Sequence, residues 1–141
     1  MIKCLLLSAI LCTIFVFAHG QKLETKHTLK YSASEFEKKL ATHKLAVVDY
    51  YAPWCHYSKA LLPEFDHSAY VVNTILKMDV AMITIDCYNE AQKALCPKNG
   101  ILGYPTVKVY KNGVFFKNFE DDRTSDKIVY FVVDIIHGLI R

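Results

Sequence analysis

The chain has 141 residues, 52% of them apolar, and 17 Lys and Arg against 14 Asp and Glu give a net charge of +3. That length suits one domain with a real core, since two domains would each be too small to offset chain entropy. The apolar content excludes disorder as the main state, and the scattered basic residues exclude a nucleic-acid footprint and an acidic-partner surface.

Met1 to Gly20 stand apart, with 15 apolar residues and no acidic one. Lys3 supplies a positive start, Cys4 to Ala18 an apolar stretch broken only by Ser8 and Thr13, and Ala18-His19-Gly20 a small-x-small cleavage pattern. This predicts a signal peptide over residues 1–20, with an uncleaved signal anchor as the alternative, and one domain over 21–141. The apolar stretch falls short of the ~20 residues a bilayer requires, so no membrane span is expected after cleavage. Cys4 and Cys12 leave with the signal, and Cys55, Cys87 and Cys96 remain in a disulfide-permissive compartment. Three thiols allow at most one internal pair, in three possible ways, and one sulfur is left over.

Along the mature chain, Thr28 to Tyr31 is a possible first strand. Ser32-Ala33-Ser34-Glu35 has the capping-box pattern and predicts a helix over Ala33 to Ala41, with Phe36 and Leu40 on one face. The apolar run Leu45 to Tyr51 predicts a strand buried on both faces. After the turn Ala52-Pro53-Trp54, Cys55 opens a long amphipathic helix reaching about Lys77, with Pro63 inside it as a kink. Ala81 to Ile85 reads as a second buried strand, followed by a helical segment from Asn89 to Leu95 that stops at Pro97 and Asn99-Gly100. Thr106 to Tyr110 and Val114 to Phe119 flank Lys111-Asn112-Gly113, a strong hairpin signal. Ser125 is then the expected N-cap of a last helix, which presents Ile128, Phe131, Val132, Ile135, Ile136 and Leu139 to the core out to Ile140. Strand–helix–strand order implies an α/β fold with a central mixed sheet and helices on both faces.

The chemically informative segment is Tyr51-Ala52-Pro53-Trp54-Cys55-His56-Tyr57-Ser58-Lys59. A cysteine between a strand end and a helix start meets the helix dipole and unpaired backbone N–H groups, which stabilise its thiolate. His56 beside it could add positive charge.

This segment resembles the active site of the protein disulfide isomerase family, thioredoxin-fold domains marked by Trp-Cys-x-x-Cys-Lys after a strand ending Tyr-Ala-Pro. The similarity spans essentially the whole mature chain. It implies a thioredoxin fold, with Asp49 as the buried acid beneath the active site and Pro63 as the proline inside the long helix. Gly103-Tyr104-Pro105-Thr106 matches the family's cis-proline loop, which faces the active-site sulfur and helps hold substrate peptide. Arg123 matches the arginine that tunes the second cysteine. By the same resemblance Cys87 and Cys96 are a structural pair, more widely spaced than is usual in the family, with two buried free thiols as the alternative. Trp54, His56, Tyr57, Tyr104 and Pro105 are the expected substrate-binding residues, with Trp54 exposed and Tyr51 in the core.

The sequence departs from the family pattern at Ser58, which stands where the second cysteine is expected. Serine forms no disulfide, so Cys55 can attack and be attacked but cannot hand an internal disulfide to a client. Asp49 then serves either as a buried acid bonded to Ser58 or water, or in proton transfer. Arg123, lacking its cysteine, is expected in a surface salt bridge or at the helix start. Thr84 replaces the lysine that often pairs with the buried acid.

The expected function is thiol–disulfide exchange in secretory protein folding, as a monothiol disulfide isomerase acting through Cys55. The alternative is a chaperone or retention factor that holds clients by mixed disulfides. The partners are unfolded or cysteine-containing secretory proteins. No cofactor is expected, and the cysteines and histidines give no usual zinc spacing. The chain ends Gly138-Leu139-Ile140-Arg141, without a Lys-Asp-Glu-Leu-like signal, so residence in the endoplasmic reticulum lumen or secretion are both open.

Overall fold

In the computed structural model, which describes residues 23–140, the run Leu45–Tyr51 forms strand β1, buried at every position. The predicted signal peptide over 1–20 lies outside the described residues. β1 sits between strand β2 (Ala81–Asp86), which runs parallel to it, and strand β3 (Thr106–Lys111), which runs antiparallel. Strand β4 (Val114–Asn118) closes the order β2-β1-β3-β4. Asn112 and Gly113, at φ 51° and 80°, make the tight turn between β3 and β4, because both positions require left-handed backbone.

Side-chain alternation along β1 divides the core in two. Leu45 and Val47 face helix α2 (His56–Tyr70) and helix α4 (Ser125–Ile136), packing with Leu61, Phe65, Ile128 and Val132. Ala46, Val48 and Tyr50 face the other side, with Phe36 and Leu40 of helix α1 (Phe36–Leu40) and Leu95 and Cys96 of helix α3 (Leu95–Lys98). Helices therefore cover both faces of a mixed sheet, the architecture that the resemblance to a thioredoxin fold implies.

Several predicted boundaries shift for local reasons. Helix α1 starts at Phe36 rather than Ala33, because the Glu35 carboxylate accepts from both the Ser32 N–H and hydroxyl, and turns occupy the residues before it. Thr28 to Tyr31 forms no strand of its own; Leu29 makes a single bridge to Ile83, donating to the Met82 carbonyl at 2.8 Å. Helix α2 continues as a π-helical turn over Val71–Ile75. Its exit is held by Asn73, whose side-chain amide both donates to the Val80 carbonyl and accepts from the Val80 N–H.

The helical segment predicted for Asn89 to Leu95 is a run of turns, and the helix there is Leu95–Lys98. Side chains have captured the backbone donors: Ala91 N–H bonds Asn89 Oδ1, Tyr88 N–H bonds Asp86 Oδ1, and Asp86 N–H bonds Gln92 Oε1. Pro97 falls in the first turn of α3, where the N–H it lacks has no helical partner. Thr124, not Ser125, caps α4, accepting from the Lys127 N–H. Ser125 instead is buried, its N–H donating to Glu64 Oε2 at 2.7 Å and its hydroxyl 3.3 Å from that of Ser68. Helix α4 ends at Ile136, which is exposed rather than core-facing, and Gly138, at φ 72°, turns the chain so that Leu139 is exposed as well.

Candidate active site

The sheet and helix α2 meet at the C-terminal end of β1, where Ala52 to Trp54 turn into the helix. Cys55 is the N-cap of α2, with extended backbone (φ −78°, ψ 126°), so its sulfur faces the unpaired N–H groups of the first turn. The sulfur is partly exposed, and Cys55 is the free cysteine among the described residues. Its pKa is lowered first by the backbone N–H of Ser58, then by the Tyr57 N–H, the Ser58 hydroxyl and the charge of Arg123, with partial desolvation opposing them. His56 is exposed, with its ring edge-on to Tyr57; the side-chain charge that acts on Cys55 is that of Arg123.

Ser58 is fully buried one turn below Cys55. Its Oγ accepts from the Ala52 N–H at 3.2 Å, and its hydroxyl proton is free to serve the Cys55 sulfur. The Tyr104–Pro105 peptide is cis, and the Tyr104 carbonyl lies 3.5 Å from Cys55 Sγ. Pro105 is buried, while Trp54 and Tyr57 stand 60% and 65% exposed around the sulfur. Tyr51 is buried.

Asp49 lies on β1 opposite Thr84 of β2, fully buried on the α2 side of the sheet. Neither carboxylate oxygen has a hydrogen-bond partner among the described residues, so the expected bond to Ser58 is not formed; the Ser58 oxygen is engaged by Ala52. Burial therefore pushes the Asp49 pKa up to about 8, against the opposing charge of Arg123. Arg123 stands just before α4, donates to the Pro105 carbonyl at 3.5 Å, and acts electrostatically on both Asp49 and Cys55.

Cys87 and Cys96 are joined by a disulfide, with Cα atoms 5.8 Å apart, which ties the loop after β2 to helix α3. That loop brings in a residue that the linear motif did not reveal. Tyr88, 52% exposed, packs edge-on against Trp54 with ring centroids 5.6 Å apart. No signal in the linear sequence points to it: the parallel register of β1 and β2, which pairs Tyr51 with Asp86, is what brings the residues after each strand to the same end of the sheet.

Residues 27–134 match the Thioredoxin family. The chain belongs to the thioredoxin family. Among its thioredoxin-family relatives, it is 35% identical over 105 residues to Protein disulfide isomerase-like 1-2 of Oryza sativa, covering 74% of this chain and 20% of that one. It is 37% identical over 99 residues to Protein disulfide-isomerase A3 of Gallus gallus, covering 70% and 18% respectively. The chain thus spans about a fifth of the length of these relatives. The first thioredoxin domain of mouse Protein disulfide-isomerase A4 superposes with a TM-score of 0.65 at 26% identity, covering 82% of this chain and 81% of that domain. Human ERp44 form I gives a TM-score of 0.72 at 20% identity, covering 79% of this chain and 30% of that one, a likeness of fold.

No helix among the described residues is long and apolar enough to cross a membrane. Among the described residues no group of three or more His, Cys, Asp or Glu is placed to hold a metal ion. A groove of about 730 Å³ lies on the outer side of α2, lined by Lys59, Pro63, Asp66 and Tyr70 among others, and Cys55 takes no part in it.

Proposed function

We propose that this protein carries out thiol–disulfide exchange on cysteine-containing client proteins of the secretory pathway, as a monothiol disulfide isomerase acting through Cys55. The observation that carries the proposal is a partly exposed, low-pKa sulfur at a helix N-cap against the cis-Pro105 loop, with Ser58 in the position of a resolving cysteine. The Cys55 thiolate attacks one sulfur of a wrong client disulfide; a Cys55–client disulfide forms, and the other client sulfur leaves as a thiolate. A client thiolate then attacks the client sulfur of that mixed disulfide, forming a new client disulfide and returning Cys55 as thiolate. Two bonds form and two break, so no net oxidant is needed.

Asp49 serves in this scheme as a neutral buried acid below the site, and Arg123 as the charge that favours the Cys55 thiolate. Trp54, His56, Tyr57, Tyr104 and Pro105 form the client-facing surface. The signal-like leader and the similarity to disulfide isomerases support action in the endoplasmic reticulum or after secretion.

Reactivation of scrambled ribonuclease in a glutathione buffer tests the proposal. A rate above that of Cys55→Ala is expected; a rate equal to it refutes isomerase turnover. The buried oxygen at position 58 favours a second reading, retention of clients as long-lived mixed disulfides. Alkylation of intact secretory cells followed by non-reducing electrophoresis distinguishes the two, because retention predicts persistent adducts that vanish in Cys55→Ala.

A further inference from the structure

Trp54, Tyr88 and Tyr104 form a closed triangle of rings. Trp54 meets Tyr88 at 5.6 Å and Tyr104 at 6.1 Å, and Tyr88 meets Tyr104 at 6.2 Å, with all three contacts edge-on. Each residue comes from a different segment: the turn after β1, the disulfide loop after β2, and the cis-proline loop before β3. Trp54 and Tyr88 remain more than half exposed, and Leu102, two residues before Tyr104, is fully exposed. The triangle is tied to the reacting atom, since the Tyr104 carbonyl lies 3.5 Å from Cys55 Sγ.

Tyr88 is held where it stands. Its N–H bonds Asp86 Oδ1 at 2.9 Å, the preceding Cys87 N–H bonds the Tyr51 carbonyl at 2.9 Å, and Cys87 is bonded to Cys96. With its backbone fixed and its ring braced edge-on by Trp54 and Tyr104, Tyr88 presents apolar area to the solvent at reduced entropic cost on contact, which is the property of an aromatic anchor. Neither of its two ring contacts is a parallel stack, and more than half of the Tyr88 surface remains open to an apolar side chain.

We infer that Tyr88 is a specificity-determining residue: with Trp54 and Tyr104 it forms a platform that receives an aromatic or large aliphatic side chain beside the client cysteine that Cys55 engages. The occupant is a segment of client polypeptide, because Trp54 adjoins Cys55 in the chain and the Tyr104 carbonyl lies 3.5 Å from its sulfur, which puts the residues flanking a client sulfur bonded there beside these rings. This inference rests on the exchange reading above for its consequence, though the platform itself binds without the sulfur.

The test uses two short synthetic peptides, one with Phe and one with Ser beside a single cysteine. In the first measurement the cysteine is activated as its mixed disulfide with thionitrobenzoate. Attack by the Cys55 thiolate forms the Cys55–peptide disulfide and releases coloured thionitrobenzoate. The rate with the Phe peptide divided by that with the Ser peptide is read within each variant, so intrinsic Cys55 reactivity cancels. Tyr88→Ala is expected to lower this ratio by about 2- to 12-fold, the worth of one aromatic contact, and Tyr88→Phe to preserve it. An unchanged ratio in Tyr88→Ala overturns the inference. In the second measurement the peptide cysteine is replaced by serine, and binding is followed by the fluorescence of Trp54, the chain's single tryptophan. Weaker Phe-peptide binding in Tyr88→Ala supports the platform, and equal binding overturns it. Should Cys55 react no faster than the Cys55→Ala background while the Phe peptide still binds through Tyr88, the exchange reading fails and the platform stands.

Discussion

Asp49 is buried without a hydrogen-bond partner among the described residues, and its pKa of about 8 makes a quantitative demand on the pH dependence of stability. In the unfolded chain the group titrates at its ordinary value of 3.8. Between these two values the folded protein holds a proton that the unfolded chain has released, so stability falls as pH rises. Below the lower value both states are protonated and the group contributes no slope. Each unit of pH within the window costs about 1.4 kcal/mol, so from about pH 4.5 to about pH 7.5 the loss is about 4 kcal/mol. Asp49→Asn keeps the shape and removes the ionisation. Urea unfolding of both proteins across that range isolates the group, because the slopes from other residues cancel in the difference. The wild-type protein is expected to lose about 4 kcal/mol relative to Asp49→Asn over the range. Parallel curves would refute the reasoning, since they would mean that Asp49 ionises freely in the folded state.

Three further outcomes follow from neighbouring groups. Alkylation of Cys55 by iodoacetamide is expected to titrate below the ordinary thiol value of 9.0, and Arg123→Gln to move the midpoint upward; a midpoint at or above 9.0 in the wild type contradicts the N-cap account. Ser58→Ala removes both the acceptor of the Ala52 N–H and a donor to the sulfur, so it is expected to cost about 1–3 kcal/mol in denaturant unfolding and to raise the alkylation midpoint. Replacing Cys87 and Cys96 together by alanine opens the loop set by their separation of 9 residues, with an expected loss of about 3 kcal/mol, measured by thermal or urea unfolding.

Strand β1 and the β3–β4 hairpin were legible because each is encoded locally, one by an unbroken apolar run and the other by Asn112-Gly113 at two positions that need positive φ. The placement of Cys55 at a helix start was legible for the same reason, from the strand, the Pro53-Trp54 turn and the amphipathic run that follows. The segment after β2 was not, since its pattern is compatible with a helix and only the competing bonds of Asp86, Asn89 and Gln92 decide against it. By residue type Ser125 is the better cap for α4, since serine outranks threonine at that position. A partner 61 positions away, Glu64, takes the Ser125 N–H and leaves the cap to Thr124. Tyr88 was invisible as a site residue because its proximity to Trp54 and Tyr104 exists only once the β1–β2 register is known.

The position of the serine also bears on how a single-sulfur site can turn over. The Ser58 hydroxyl and the N–H groups that lower the Cys55 pKa make that sulfur a less reactive nucleophile per thiolate, but a better leaving group from a mixed disulfide. An incoming thiolate can attack either sulfur of the Cys55–client bond. Attack on the client sulfur expels the Cys55 thiolate, which these donors stabilise; attack on Cys55 expels a client thiolate of ordinary pKa and leaves the protein still modified. The environment therefore favours the branch that regenerates Cys55 and, when the incoming thiolate belongs to the client, forms a rearranged client disulfide. On this account isomerisation and retention are two ends of one kinetic scale. Under the proposed exchange, a client with a second thiol able to reach its own bonded sulfur would be released rearranged, and a client without one would stay attached until an external thiol arrived.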